Sequence, residues 1–251
     1  MKSKDKILAF LEYNKDAYIS GEAMATQLGL SRNSVWKNIN ELRKAGYNIE
    51  AVSNRGYRLM ADNDIISVQG LAPFLADDLP IADINIYDEV ESTNSLAKEL
   101  ALEGAEHGTV IISSKQTHGR GHGGSDFPSP EGGIYMSVIL DPAAMDLDRP
   151  SHIPAFTAVS VCQVFEELLD LAPSINLVTD IFVDGAKVCG ILNETAFDLE
   201  TEQLQWIVVG IGIPDKYSVS RNEIVAAILN KLLVTPDYAA IMRQYKKLHK
   251  K

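Results

Sequence analysis

The chain has 251 residues, of which 46% are hydrophobic, so it is long enough to bury a large core and we expect two domains. Its formal net charge of −11 argues against a protein that is covered by nucleic acid. The sequence has no secretory leader and no run of about 18 apolar residues, so we expect a cytoplasmic protein without a membrane partner. Cys162 and Cys189 lack the spacing of metal ligands, so no metal site is expected.

The charge is distributed unevenly along the chain. Residues 1–61 contain ten Lys or Arg and six Asp or Glu, a balance of +4, and the remainder carries −15. This asymmetry indicates that only the basic segment meets a polyanion. We therefore predict a DNA-binding domain over residues 1–61, a connection over 62–84 and a second domain over 85–251.

Residues 1–46 show the pattern of three short amphipathic helices. The second begins after a candidate N-cap, Ser20, and the third after Ser31, while Gly29 allows a tight turn between them. The residues expected to face inward are Ile7, Leu8 and Leu11 in the first helix, Ala23, Met24 and Leu28 in the second, and Val35, Ile39 and Leu42 in the third. Two short helices joined by such a turn predict a helix-turn-helix.

The third helix presents side chains that suit a contact with DNA. Those near its N-terminal end could meet base edges and phosphates in a major groove: Arg32, Asn33, Ser34, Trp36 and Lys37. The next segment, "YNIEAVSNRGYRLM", predicts a hairpin with its tip at residues 54–56, and Arg55 and Arg58 could touch phosphate. The pattern predicts a DNA-binding winged helix; the alternative is a protein-docking module with a solvated basic face.

The rest of the chain alternates between strands and helices. After a connection that contains a helix, we predict strands in "INIYDEV", "TVIISSKQT", "GGIYMSVIL" and "LQWIVVGIGI", and helices in "STNSLAKELALEG", "IPAFTAVSVCQVFEELL" and "RNEIVAAILNKLL". The segment "INLVTDIFVDGAKVCGILNETAFD" predicts two strands joined by a turn at residues 184–185. The basic tail "QYKKLHKK" is expected to be a solvated end. This order predicts an α+β protein in which helices pack on a mixed β-sheet.

Four motifs occur in the order found in one family. They are "ESTNSLAKEL", "QTHGRGHGG…FPSPEGGIYMSVIL", "DGAKVCGILNE" and "VVGIGI". With the winged helix in front, the chain resembles the bifunctional biotin–protein ligases that are also biotin-operon repressors. The resemblance implies a ligase-like central domain, biotin as ligand, operator DNA and a biotin carboxyl carrier protein as partners, and a homodimer.

The resemblance also assigns roles to single residues. Ser92, Thr93 and Asn94 match the family residues that line the biotin end, although a helix N-cap alone would explain a Ser or Thr there. Gln116 matches a family residue that bonds the ureido ring, and Gly119, Arg120 and Gly121 match the loop that wraps the ligand. Lys187 matches a lysine that meets a carboxylate or phosphate, and Gly190 matches a small position in the pocket floor. The alternative for Lys187 is an exposed turn lysine.

Three departures fall on the nucleotide side of the family pattern. The second arginine of the family loop is His122, and the basic position after Gly124 is Ser125, which is next to the acidic Asp126. The family lysine that stabilises the transferring phosphoryl is Asn176, and the asparagine that reads adenine is Pro214. These changes argue against productive binding of ATP and its Mg²⁺. We also expect no counterpart of the family's small C-terminal barrel.

These observations favour a biotin-responsive DNA-binding repressor in which adenylation is lost or weak. The alternative is an active bifunctional ligase, in which Lys187 and Arg120 contact the phosphate and Asp180 orders the acceptor lysine. In a third possibility the cavity binds another small acid, such as a lipoate-like ligand.

Overall fold

A computed structural model describes residues 1–147, 149–198 and 203–249. The chain forms two compact units. Unit 1 comprises Met1–Leu75 and Ser220–Ala226, and unit 2 comprises Ala76–Val219 and Ala227–Lys251. The residues predicted to form a connection, 62–84, fall partly in each unit.

Unit 1 is a winged helix, as the sequence predicted. Its helices are α1 (Ser3–Tyr13), α2 (Gly21–Leu28) and α3 (Arg32–Lys44), followed by the antiparallel hairpin of β1 (Ile49–Val52) and β2 (Gly56–Leu59) and by the short α4 (Val68–Leu71). Ser20 and Ser31 cap α2 and α3 by accepting backbone N–H bonds of 3.0 and 3.1 Å. Gly29 ends α2 in the left-handed conformation, with φ of 66°.

The core of unit 1 contains most of the predicted residues. Ile7, Leu8, Leu11, Met24, Val35, Ile39 and Leu42 are all buried together with the wing residue Leu59. The prediction for Ala23 is wrong, because Ala23 is exposed and Ala25 is buried in its place. Ala25 precedes Leu28 by three positions and therefore shares its face of the helix, whereas Ala23 does not.

Unit 2 is built on a seven-stranded mixed sheet with the strand order β3-β4-β5-β9-β8-β7-β6. The strands are β3 (Asp83–Tyr87), β4 (Thr109–Ser113), β5 (Ile134–Leu140), β6 (Ser174–Asn176), β7 (Asp180–Val183), β8 (Ala186–Asp198) and β9 (Gln203–Ile213). The pair β3 and β4 is parallel, and the other pairs are antiparallel. The predicted α+β class with a mixed sheet is confirmed.

The helices after β3 are α5 (Thr93–Leu102), α6 (His152–Leu169), α7 (Arg221–Leu232) and α8 (Tyr238–Leu248). The apolar α6 packs on β7 and β8 and against α8. Within the part of the chain that the structure describes, no helix combines the length and the apolar character needed to cross a membrane.

Two predictions for unit 2 are wrong. The segment that starts at β6 turns once more than predicted, at residues 177–179, where Leu177 and Val178 have φ of 46° and 75°. Leucine and β-branched valine rarely adopt a positive φ, so nothing in the sequence signals this turn. The basic tail, residues 244–251, is also not a free end where the structure describes it: residues 244–248 belong to α8, which is capped by Asp237 and bonded to α6 through Gln244 and Gln163 at 2.8 Å. Lys246 and Lys247 are exposed, as expected, and residues 250 and 251 lie outside the described residues.

Candidate ligand pocket and nucleic-acid interface

The first turn of α5 carries three of the predicted ligand residues. Ser92 is the N-cap and accepts a bond from the Ser95 backbone N–H at 3.4 Å. Thr93 and Asn94 follow it, and all three side chains are at least 95% buried. Because Ser92 alone satisfies the cap, Thr93 and Asn94 are held at this position by other partners.

Asn94 is fixed by bonds to both ends of its amide. Its Oδ1 accepts from the Ser137 hydroxyl at 2.6 Å, and its Nδ2 donates to the Leu192 carbonyl at 3.2 Å and to the Glu194 carboxylate at 3.0 Å. A Cβ added at Gly210 would lie 2.0 Å from Asn94 Oδ1, so only glycine fits beside it. Sequence reasoning missed Ser137, because a serine inside a buried strand gives no signal of its partners.

Gln116 is anchored in the same way. Its Oε1 accepts from the Thr93 backbone N–H at 2.8 Å and from the Thr93 hydroxyl at 3.2 Å, and its Nε2 donates to Ser129 Oγ at 2.8 Å. Ser129 in turn donates to the Phe127 carbonyl at 2.9 Å. The position of Gln116 therefore depends on the end of the glycine-rich loop, a link that the sequence did not reveal.

The glycine-rich loop, residues 119–127, folds back on itself. The Phe127 N–H donates to the Gly119 carbonyl at 2.8 Å, and the Gly121 N–H donates to the Ser125 carbonyl at 2.7 Å. Gly123 and Gly124 have positive φ in the turn between them. A Cβ at Gly119 would lie 2.4 Å from the Phe127 carbonyl oxygen, so this glycine allows the close approach that closes the loop.

These elements surround a cavity of about 260 Å³ in unit 2. It brings together every predicted ligand residue except Gly119, which supports the loop from outside the lining. The lining residues that had been named from the sequence are Ser92, Thr93, Asn94, Gln116, Arg120, Gly121, His122, Ser125, Asp126, Asp180, Lys187 and Gly190.

Phe127 is the main lining residue that sequence reasoning missed. Its ring packs on the sheet at two glycines, Gly190 and Gly212. A Cβ at Gly190 would lie 2.5 Å from a ring atom, and a Cβ at Gly212 would lie 2.4 Å from one. The Lys187 ammonium is 5.6 Å from the ring centroid. The motif "VVGIGI" could have indicated this packing, because Gly210 and Gly212 are two residues apart in β9 and therefore leave one face of the strand without side chains there.

The two cations that line the cavity both face carboxylates. Lys187 Nζ lies 2.8 Å from Asp180 Oδ2, and Arg120 lies 3.9 Å from Glu91. Asp126 adds a further carboxylate to the lining. No nucleophilic thiol is available at Cys189 near pH 7, because burial raises the pKa of that thiol. Among the described residues, no cluster of His, Cys, Asp or Glu is arranged to hold a metal ion.

In unit 1, the predicted DNA contacts lie at the start of α3. Arg32, Asn33, Trp36 and Lys37 are exposed, and Ser34 is half-buried. Arg32 is 3.8 Å from Glu22, but both side chains are 74% exposed, so this ion pair is weak and the guanidinium stays accessible. The face that the sequence predicted is therefore open to a partner.

The wing arginines have a shared partner that was not predicted, Tyr18. Its hydroxyl donates to the Glu50 carboxylate, which also accepts two bonds from Arg58 at 2.7 and 3.2 Å. These hydrogen bonds lower the pKa of Glu50; the bond from the Tyr18 hydroxyl has the largest effect, and the bond from the Arg58 guanidinium has the next largest. Both arginines also stack on the Tyr18 ring.

Comparison with known proteins follows the same division of the chain. Residues 4–58 match the model of an HTH domain, and residues 87–213, half of the chain, match the model of the Biotin/lipoate A/B protein ligase family. The chain belongs to the biotin/lipoate A/B protein ligase family. The resemblance inferred from the four motifs is thereby confirmed.

Curated relatives of this family member carry both activities in their name. The chain is 36% identical over 211 residues to the bifunctional ligase/repressor BirA of Bacillus subtilis (strain 168), which covers 84% of this chain and 64% of that protein. It is 24% identical over 241 residues to the protein of the same name from Escherichia coli (strain K12), and this match covers 94% of this chain and 70% of that protein. The chain thus spans less than two thirds of the Bacillus protein.

Solved structures support the fold. The biotin protein ligase from Aquifex aeolicus in complex with biotin and ATP matches with a TM-score of 0.51 and 24% identity, over 66% of this chain and 72% of that chain. The biotin protein ligase from Leishmania major in complex with biotin matches with a TM-score of 0.55 and 20% identity, over 68% of this chain and 82% of that chain.

The three positions predicted from the motifs to depart from the family pattern belong to different parts of unit 2. His122 is in the loop and lines the cavity. Asn176 ends β6 and pairs in register with Asp180 on β7, and Pro214 directly follows β9. The departures therefore sit on three different elements of unit 2.

Proposed function

We propose that the protein is a biotin-responsive DNA-binding transcription regulator in which adenylation of biotin is lost or severely weakened. The observation that carries the proposal is the cavity in unit 2. There the neutral ligand residues are assembled and held, while Lys187 is paired with Asp180 and the exposed Arg120 is only loosely paired with Glu91.

Biotin binding is supported by the groups around Gln116. A ureido ring offers two N–H donors and one carbonyl acceptor, and the hydroxyls and amides of Thr93, Asn94 and Gln116 can bond both kinds. These side chains are already fixed by protein partners, so little ordering is needed when a ligand binds. Two solved neighbours, those from Aquifex aeolicus and Leishmania major, contain biotin, which favours the same ligand here.

Loss of adenylation is supported by the charges of the cavity. Transfer of a nucleotidyl group builds negative charge, and its stabilisation by fixed cations is usually the largest catalytic contribution. Lys187 is paired with Asp180, Asp126 adds negative charge, and His122 lines the cavity where the family pattern has an arginine. Asn176, where the family pattern has a lysine, ends β6 and is not among the lining residues. A bound Mg²⁺ would have to supply the positive charge that these side chains no longer supply.

The regulatory role is supported by unit 1 and by the relatives. Residues 1–61 carry +4 in a chain of −11, and α3 exposes Arg32 and Lys37. The relatives named above are repressors by name. We propose that a homodimer in the cytoplasm binds a palindromic operator, because one winged helix buries little surface and two-fold symmetry doubles the contact.

A second candidate function is an active ligase for a biotin carboxyl carrier protein. The name "ligase/repressor" of the 36% identical relative favours it. In this mechanism, Lys187 and Arg120 would contact the phosphate, and Asp180 would order the acceptor lysine.

Isothermal titration calorimetry separates these candidates. The full chain is titrated with biotin alone, with ATP and Mg²⁺ alone, and with biotin in the presence of ATP. A sensor gives heat with biotin alone and no gain from ATP, whereas a ligase gives a marked gain. No heat with biotin, together with heat from lipoate, would replace biotin by another small acid.

The DNA-binding role has its own test. Replacing Arg32 or Lys37 by alanine should weaken binding to an operator selected from a random DNA pool by about 1–3 kcal/mol for a base contact. Val68→Ala, an exposed position of unit 1 outside α3, serves as the control. If both α3 variants bind like the parent protein across a salt series, the assignment of α3 as the recognition helix is wrong.

A further inference from the structure

Two arginine guanidinium groups of unit 1 lie over one tyrosine ring beside the wing. The Arg55 guanidinium carbon lies 4.0 Å from the centroid of the Tyr18 ring, and that of Arg58 lies 4.6 Å from the same centroid. Tyr18 belongs to the segment between α1 and α2, which is tied to the wing by two backbone bonds between Ile19 and Tyr57, of 2.8 and 2.9 Å. The ring is therefore fixed relative to the hairpin that carries both arginines.

The two arginines differ in their other partners. Arg58 is held by Glu50 at 2.7 Å and by Asp16 at 3.4 Å, and its side chain is only 25% exposed. Within the described residues, Arg55 forms no ion pair closer than 4.0 Å, although the Glu50 carboxylate is near enough to attract it, and it is exposed at the wing tip next to Asn54. Arg58 has carboxylate partners inside the protein, whereas the N–H groups of Arg55 remain available to an external anion.

We propose that Tyr18 is a positioning residue for DNA binding, which holds the Arg55 guanidinium for a backbone phosphate while Arg58 stays bound to Glu50 and Asp16. A guanidinium that stacks on an aromatic face keeps its edge N–H groups free for a bidentate phosphate contact. Fixing the side chain before binding also reduces the entropy lost when the contact forms. This inference rests on the proposed DNA-binding function and names the wing residue that carries the phosphate contact.

The test is the salt dependence of DNA binding by the full chain. Binding to a fluorescently labelled duplex of random sequence is followed by anisotropy over a series of salt concentrations, because phosphate contacts do not depend on sequence. Arg55→Ala should make the slope of log K against log salt shallower by about 0.9, the value for one phosphate. Tyr18→Leu should shift the slope in the same direction and add nothing in the Arg55→Ala background.

Three variants separate positioning from a general effect on structure. Tyr18→Phe keeps the ring and should keep the slope of the parent protein, and Arg58→Gln should keep it too. Tyr13→Leu, which changes a 65% exposed tyrosine of the same unit, is the matched control. Tyr18→Met fills the space with a flexible apolar chain and repeats the test if Tyr18→Leu does not fold.

The inference is overturned if folded Tyr18→Leu or Tyr18→Met binds with the slope of the parent protein, or if Arg58→Gln lowers the slope as Arg55→Ala does. If the parent protein itself binds no duplex at the lowest salt, the DNA-binding proposal fails and this inference fails with it. If the parent protein binds, Arg55→Ala lowers the slope, and Tyr18→Leu and Tyr18→Met keep the slope of the parent protein, the DNA-binding proposal stands and this inference alone is wrong.

Discussion

Two sets of residues meet in the cavity of unit 2, and they differ in how they are held. Thr93, Asn94 and Gln116 are neutral, buried or half-buried, and each is fixed by hydrogen bonds from the protein. Lys187 and Arg120 are charged, and each faces a carboxylate. Recognition of a neutral ring and stabilisation of a charged transition state depend on different side chains, so one can be lost while the other stays.

The largest expected effect comes from restoring the charged set. The triple variant His122→Arg, Asn176→Lys and Pro214→Asn should raise adenylate formation by about 10² or more, because one stabilising group alone typically contributes 10²–10³. The three groups would act on one transition state, so the single variants need not add up to this gain. Release of labelled pyrophosphate from ATP in the presence of biotin measures it.

A control for this variant is the affinity for biotin alone, which should not change. A triple variant that gains ATP turnover but loses biotin binding would break the separation between the two sets of residues. Equal gains from a triple variant of exposed positions would show that the effect is not specific to the cavity.

An intermediate effect is expected in the neutral set. Gln116→Ala leaves the Thr93 backbone N–H without its acceptor, takes one donor away from Ser129 Oγ, and removes the proposed bond to the ligand. The affinity for biotin should fall by about 1–3 kcal/mol in calorimetry. Gln205→Ala, which changes an exposed glutamine of β9 outside the cavity, is the matched control. Unchanged affinity for Gln116→Ala would favour a different ligand.

The smallest effect is expected from a single charge at the rim. Asp126→Asn removes an exposed carboxylate from the lining, so the affinity for ATP should rise by about 0.2–1 kcal/mol, and more at low salt than at high salt. Biotin affinity should stay the same. A loss of ATP affinity instead would mean that Asp126 holds a cation that the nucleotide needs.

The sequence predicted the elements of both units well where local patterns decide them. The caps Ser20, Ser31 and Ser92 and the buried stripe of α3 follow from rules that act within one helix. The turn at Leu177 and Val178 has no such rule, because its backbone conformation is rare for these residue types and is held by distant partners, such as the Tyr245 hydroxyl that donates to the Val178 carbonyl at 2.8 Å.

The candidate site was predicted by residue type but not by geometry. The family pattern assigned Asn94, Gln116 and Lys187, yet the bonds that fix them come from Ser137, Ser129 and Asp180. Ser137 is 43 positions away from Asn94, and no local pattern connects the two residues. The same holds for Tyr18, whose role is visible only once the wing is folded beside it.

The most direct test of the account is adenylation by the unmodified protein. The full chain is incubated with biotin, Mg²⁺, labelled ATP and a carrier domain, with a bifunctional ligase/repressor such as the Bacillus subtilis protein as reference, and the release of pyrophosphate and the transfer of biotin are measured. We expect little or no release of pyrophosphate above background, while calorimetry detects biotin binding to the same sample. Turnover similar to that of the reference would contradict it and would assign the protein as an active ligase.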